Sequence, residues 1–272
     1  MPELPEVETT RHGITPHLIG RTVTAVILRA EKLRLPLSPT LCSLLPGRRI
    51  EGVTRRGKYL LLTMEGGTLL VHLGMTGHLR LAAAGTPPGR YDHFELILDN
   101  GNLLRLNDPR KFGTVLWLNS DPYSHPLFVG LGPEPLEDDF SAAYLYRISR
   151  KRRVAVKPLL MNSRLVVGVG NIYANEALFR AGIAPSRAAG KLTEVDCERL
   201  VVAVKAVLRE AIVLGGTTLQ DYLDVEGKPG YFRLELKVYG REGEPCSICS
   251  TPLQQSRLGG RATCWCPSCQ PD

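Results

Sequence analysis

The sequence predicts an α+β protein: a β-rich antiparallel N-terminal half, a helical half, and a small C-terminal finger held by cysteines. Three observations carry this reading. Eight short β-prone runs follow one another between residues 22 and 119. From residue 140 the apolar residues recur at helical spacing instead. Near the C-terminus, Cys246-x2-Cys249 and Cys266-x2-Cys269 are separated by sixteen residues, the pattern of a two-knuckle zinc site.

In chain order, residues 5–19 are expected to form a helix. Pro5 suits its first turn, where a missing N–H leaves nothing unbonded, and Glu6 and Glu8 favour the same end. Pro16 should end or kink it. The β-prone runs are 22–29, 48–54, 58–64, 67–73, 78–82, 93–99, 102–107 and 114–119. EGG at 65–67 and DNGN at 99–102 mark turns between them. So many short strands at this spacing favour an antiparallel sandwich or barrel. The stretch LGPEPLEDDF (131–140) has the composition of a linker. Helices are then expected at 140–150, 155–161, 171–181 and 193–214. In the last of these Val195, Leu200, Val204, Val207, Leu208, Ala211 and Ile212 keep helical spacing. No internal repeat or low-complexity segment interrupts this order.

A chain of 272 residues is long enough for about two domains. Its composition, 43% hydrophobic and 22% charged, is that of an ordinary globular protein. No apolar run approaches the roughly 20 residues of a membrane helix, and the acidic start is unlike a signal peptide. A cytoplasmic location is therefore expected. The net charge of +7 is unevenly spread: residues 1–140 carry 15 basic and 15 acidic residues, residues 141–272 carry 19 and 12. A basic second half points to a polyanion partner, although a solvated basic surface would look the same.

Four thiolates on two knuckles complete a closed tetrahedral shell, and such a site replaces the core that a short segment cannot build. Cys264 offers a competing ligand, but the x2 spacing favours Cys266 and Cys269. Cys42 and Cys197 are expected to be small buried hydrophobes. Between the knuckles, Gly259-Gly260-Arg261 suggests a hairpin that presents an arginine to a phosphate or merely to solvent. Two other motifs fail on inspection. Gly52 to Lys58 has P-loop spacing, yet Tyr59 replaces the Ser or Thr and no helix follows. Gly168-Val-Gly170 begins a dinucleotide fingerprint, but Tyr173 takes the last glycine position. What remains there is a glycine-bracketed turn into a helix, whose N–H groups could bind phosphate, with SRKRRVAVK (149–157) adding charge. His72 and His93 fall in strands and read as structural.

The N-terminus offers distinct chemistry. If Met1 is removed, Pro2 becomes a secondary amine, and free α-amino groups titrate at roughly 7.7–8.0. Such an amine can attack an electrophilic carbon and form a Schiff base, with Glu3 beside it for proton transfer. Taken alone, the same residues read as a helix start, and only the rest of the chain points to the chemistry.

Eight stretches in order, MPELPEVE, RRGKYLL (55–61), HLGMTGHL (72–79), NDPRKFG (107–113), VVGVGNIYANEALF (166–179), GGTT (215–218), KVYGREGEPC (237–246) and the four-cysteine finger, strongly resemble the bacterial formamidopyrimidine-DNA glycosylases. The resemblance runs from residue 2 to 270. Leu4, where the related endonuclease VIII branch usually has glycine, favours the purine-repair branch. It implies an N-terminal β-sandwich catalytic domain (1–133), a helix–two-turn–helix DNA-binding domain (134–237) and a zinc finger (238–272). It implies excision of oxidised purines such as 8-oxoguanine and formamidopyrimidines from damaged double-stranded DNA, then strand cleavage by β,δ-elimination. A base reached in this way must first leave the stack. A monomer with one structural zinc ion and no obligate protein partner is expected.

Matched position by position, Pro2 looks like the nucleophile, Glu3 the acid/base group, Lys58 the assisting lysine and Arg261 the finger arginine. For Arg261 phosphate binding is the better assignment, because a guanidinium is a poor acid. Met75, Arg110 and Phe112 match the residues that fill the gap left by a flipped base; read alone, Met75 and Phe112 are ordinary strand-end hydrophobes. Lys157 and Asn171 match phosphate binders, Arg152 sits where relatives also place a basic residue and is expected to contact DNA, and Thr217 to Asp224 match the loop that closes over the extruded base. Two departures stand out. Tyr91-Asp92-His93 replaces a common His-Asp-His, so a DNA contact at Tyr91 differs in kind. Cys264 replaces an aromatic residue, which argues against its being a ligand but exposes the chain to oxidation.

Overall fold

A computed structural model describes residues 2–215 and 236–271; the expected closing loop at 217–224 lies outside them. Two compact units are present, one built on Met1–Val129 and the other on Gly130–Leu214 with the C-terminal finger. Among the described residues no helix is long and apolar enough to cross a membrane.

The first unit opens with α1 (Leu4–Leu18), which buries Leu4, Val7, Ile14 and Leu18 along one face, with Pro16 in its last turn. Eight strands follow at the positions the turn signals bracket: β1 (Val23–Leu28), β2 (Ile50–Arg56), β3 (Tyr59–Met64), β4 (Gly67–His72), β5 (His78–Ala83), β6 (Asp92–Leu98), β7 (Asn102–Asn107) and β8 (Thr114–Leu118). They form two four-stranded antiparallel sheets, ordered β1-β6-β7-β5 and β2-β3-β4-β8. Of the two architectures open to the sequence, this is the sandwich. Side chains of both sheets, among them Val53, Leu60, Leu62, Leu69, Leu79, Phe94 and Leu106, share one core with α1. The short helix α2 (Leu41–Leu44) had no signal in the sequence; it is a single turn, too short for a periodic pattern. It also corrects one expectation: Cys42 is exposed there, whereas Cys197 is buried as expected.

In the second unit α3 (Ala142–Ser149) starts at Ser141, whose side chain accepts the Tyr144 N–H. Next come α4 (Val156–Leu160) and α5 (Asn171–Ala181). Gly182, at φ 65°, ends α5 in the left-handed region that glycine tolerates best. The long α6 (Glu194–Val213) begins with a Thr193–Asp196 capping box. A ribbon of β9 (Gln254–Leu258) and β10 (Arg261–Trp265) completes the unit. Cys246, Leu253, Cys264 and Cys266 pack with Phe179 and Val238 into a small core of their own.

Candidate functional site

In the N-terminal unit Pro2 and Glu3 are both buried. Glu3 is the N-cap of α1 and forms a capping box with Glu6, whose Oε2 accepts the Glu3 N–H at 2.8 Å. Glu8, one turn on, is committed elsewhere. It accepts Arg55 Nε at 2.7 Å and Arg11 Nη2 at 2.6 Å. Burial opposes ionisation of Glu8, but these two guanidiniums outweigh it and hold the carboxyl below its ordinary value. Arg55 also donates from Nη1 to the Gly57 carbonyl at 2.9 Å. One side chain thus ties the helix that starts beside Pro2 to the two-residue turn that carries Lys58. Beyond that turn, Tyr59 packs its ring 4.8 Å from that of His72. Burial, then the charges of Lys58 and Arg34, push His72 down to about 4. Its Nδ1 accepts the Gly74 N–H at 3.0 Å, so it is a neutral, structural histidine, as expected.

Met75, Arg110 and Phe112 come from two loops, 73–77 and 108–113, that Asp108 fastens together. Its wholly buried carboxylate accepts the Gly113 N–H at 2.7 Å and lies 3.4 Å from Thr76 Oγ1. The Asp108 N–H donates to the Tyr91 carbonyl at 2.9 Å, and its own carbonyl lies 3.1 Å from His93 Nε2. Arg110 and Phe112 are both exposed, with the guanidinium 4.8 Å from the ring centroid. The structure therefore fastens the loops of three expected residues to an acid that no local pattern in the sequence singles out. Arg55 and Arg34 carry no signal in the sequence for the same reason: only their three-dimensional neighbours distinguish them from other arginines.

In the second unit the expected residues part company. Lys157 is wholly buried and donates to the Ala262 carbonyl at 2.7 Å and Thr263 Oγ1 at 2.8 Å. Asn171 opens α5 after the N-cap Gly170, and its Oδ1 is buried with no hydrogen-bond partner among the described residues. Arg152 is exposed after α3 and turns back to the Ile148 carbonyl at 2.6 Å. Arg261 is exposed at the start of β10, just past Gly259 and Gly260, both at positive φ. Glu176, which sequence reading missed, collects the N–H groups of Lys237, Val238 and Tyr239 on one buried carboxylate. Asn175 accepts the Cys264 N–H at 3.0 Å.

The sulfur atoms of Cys246, Cys249, Cys266 and Cys269 all lie within 4.8 Å of one another. The Cys246–Cys269, Cys249–Cys266 and Cys249–Cys269 separations are 3.9, 3.4 and 3.5 Å. A tetrahedral ion with metal–sulfur bonds of about 2.3 Å requires edges of about 3.8 Å. The four cysteines can therefore hold a metal ion with little adjustment. Cys264 is not among them; it is buried, with its thiol 3.3 Å from Gln255 Oε1.

Comparison with known proteins agrees with this geometry. Residues 1–115 match the family model of the formamidopyrimidine-DNA glycosylase N-terminal domain, and residues 131–222 that of the H2TH domain. A formamidopyrimidine-DNA glycosylase of Geobacter sulfurreducens is 60% identical over 270 residues, covering 99% of this chain and 100% of its own. The crystal structure of the MutM (Fpg) protein from Thermus thermophilus superposes with a TM-score of 0.87 at 42% identity, covering 99% of this chain and 98% of that one. A Lactococcus lactis Fpg variant in complex with DNA containing Fapy-dG gives 0.92 at 34% identity, with both chains covered completely. With two domain models matched in order and relatives aligned along its whole length, the chain belongs to the formamidopyrimidine-DNA glycosylase family.

Proposed function

We propose that the protein excises oxidised purines from double-stranded DNA and then cuts the strand at the resulting site. In this reading the Pro2 amine, freed by loss of Met1, attacks C1′ of an extruded nucleotide as the bond to the base breaks. Proton transfer through Glu3 opens the sugar ring and leaves a Schiff base between Pro2 and C1′. Loss of a C2′ proton then expels the 3′ phosphate, and a second elimination expels the 5′ phosphate. Lys58 supplies positive charge and proton exchange beside the intermediate. Met75, Arg110 and Phe112 occupy the gap in the duplex. Tyr91, Arg152, Asn171 and Arg261 contact the backbone, and Lys157 serves through the ribbon it holds. The four cysteines bind one zinc ion with a structural role, and the protein acts as a monomer.

The observation that carries the reading is the N-terminus: a proline and a carboxylate buried together at the start of a helix. Burial limits solvent around an amine that must be neutral to react. The test is borohydride trapping on a duplex with 8-oxoguanine opposite cytosine, using protein whose intact mass begins at Pro2. A covalent adduct mapping to Pro2, lost in Pro2→Gly, is expected. Trapping and base release undiminished in Pro2→Gly would overturn the assigned nucleophile.

A further inference from the structure

The outer face of the β1-β6-β7-β5 sheet carries a row of buried charge that the proposed chemistry does not use. Arg80, Arg105 and Glu95 are lateral neighbours on β5, β7 and β6. Arg105, Glu95 and Asp92 are each 1% exposed. Arg105 Nη2 pairs with Glu95 Oε1 at 2.6 Å, and its Nη1 lies 3.5 Å from Asp92 Oδ2. Arg80 completes Asp92 at 2.5 Å and Arg29 completes Glu95 at 2.8 Å, while Asn107 donates to Asp92 at 2.8 Å. Buried ion pairs are weak sources of stability, because desolvation offsets their attraction. Something other than stability should account for this one.

What the row holds is the loop from Thr86 to Tyr91. Arg105 donates to the Thr86 carbonyl at 2.7 Å and the Pro87 carbonyl at 3.2 Å. Asp92 accepts the Gly89 N–H at 2.6 Å, and the Tyr91 carbonyl accepts from Asp108. Pro87 and Pro88 fix two further φ angles. A short surface loop is thus fastened at four points from below and stiffened in between. At its end stand Arg90 and Tyr91, both exposed, with the guanidinium 5.3 Å from the ring centroid. Arg90 has no carboxylate partner among the described residues. Through Asp108 the loop joins the segment bearing Arg110 and Phe112, so the two arginines are presented from neighbouring segments.

We propose that Arg90, seated on the Tyr91 ring, is a DNA-phosphate contact, and that Arg105 and Asp92 are positioning residues that hold it in place. The inference rests on the DNA-repair reading above. A planar guanidinium lying on an aromatic ring keeps its N–H edge free for a phosphate oxygen, and a preorganised loop loses little freedom when it binds.

The test is the salt dependence of binding to a duplex with a tetrahydrofuran abasic analogue and to the same duplex undamaged, over a potassium chloride series. Arg90→Ala is expected to lower the slope of log K against log salt by about 0.9 and to weaken both duplexes alike. Arg105→Lys keeps the charge but cannot reach two carbonyls and two carboxylates together. It should lower the slope by the same amount, and the double variant should fall no further. A wild-type slope in Arg90→Ala overturns the contact. A lowered Tm with a wild-type slope in Arg105→Lys reduces the row to a structural role. Should that variant fail to fold, Asn107→Ala loosens the row from its half-buried edge, and a wild-type slope there has the same meaning. If the unaltered protein binds neither duplex in a salt-dependent way, the DNA reading itself falls, and not only this inference.

Discussion

Replacing Gly74 by alanine tests how the loops bearing Met75 and Phe112 are packed. Gly74 sits at φ +67°, and a Cβ built there would lie 2.5 Å from both the Gly113 nitrogen and the Phe112 carbonyl carbon. Those are backbone atoms, which no rotamer change can withdraw. The left-handed backbone alone costs an L residue roughly 1–2 kcal/mol, and overpacking a tight contact adds about 1–3 kcal/mol. A loss of about 3 kcal/mol is therefore expected. Gly85→Ala separates the two contributions, because Gly85 has φ +88° but open space around its Cβ position; it should lose only the smaller part. The protein has two tryptophans, Trp117 on β8 and Trp265 on β10. In a Trp265→Phe background, urea unfolding followed by fluorescence reports on the N-terminal unit alone. With a slope of about 2–3 kcal/mol per molar, Gly74→Ala should move the midpoint down by about 1 M. Equal losses in the two variants would refute the packing argument, and so would a Gly74→Ala shift below about 0.2 M.

Cys266→Ser should abolish stoichiometric zinc, whereas Cys264→Ser should retain one equivalent; metal analysis of purified protein decides. Because Arg11 and Arg55 hold the folded-state pKa of Glu8 below its unfolded value, the pair stabilises above the unfolded pKa and stops doing so as pH falls through the folded one. Glu8→Gln should accordingly lower Tm at neutral pH, and the difference from wild type should close in acid; a gap that persists unchanged at the most acidic point would contradict this. His72, at about 4, should keep a neutral ring well below its ordinary value near 6.5. Protonation therefore opposes folding increasingly as pH falls between those values and no further below them. An imidazole titration by NMR with a midpoint above about 6 would remove that account.

The eight sandwich strands, α1 and the helices of the second unit were legible in the sequence to within a residue or two, because short strands bounded by Gly and Asn turns carry their own punctuation and the helices keep their apolar period. NLLRLN at 102–107 and the helix at 171–181 coincide with β7 and α5. The four clustered cysteines were legible for a similar reason, since a knuckle is a local structure with fixed spacing. What could not be read was which polar residues bear on one another across the fold. Asp108 gathers groups from residues 76, 91, 93 and 113, and no local pattern encodes that set. Lys157 shows the limit most clearly: the resemblance matches it to a phosphate binder, and nothing in the local sequence shows that its side chain is buried against β10. Cys42 shows it in reverse, an apolar-seeming thiol left outside by a one-turn helix.

The burial of Lys157 follows from a problem the finger must solve. A two-stranded ribbon is marginal alone, and among the described residues β9 is the one strand paired with β10, leaving one row of its backbone groups without a strand partner. The Ala262 carbonyl and the Cys264 N–H lie two residues apart and so point to the same edge. Lys157 from α4 donates to the first and Asn175 from α5 accepts from the second. Gly259, at the tip, comes within 3.4 Å of Pro158 when given a Cβ. Two side chains thus finish the strand edge that a third strand would otherwise cover. An ammonium suits the carbonyl because its remaining protons can serve Thr263 as well. Arg261 precedes Ala262 directly, so its place is set by helices of the second unit, while the four-cysteine cluster, which can hold a metal ion, sets the base of the ribbon. Losing the ion should therefore loosen the knuckles at 246–249 and 266–269 before it displaces Arg261, whereas Lys157→Met should displace Arg261 with the metal still bound.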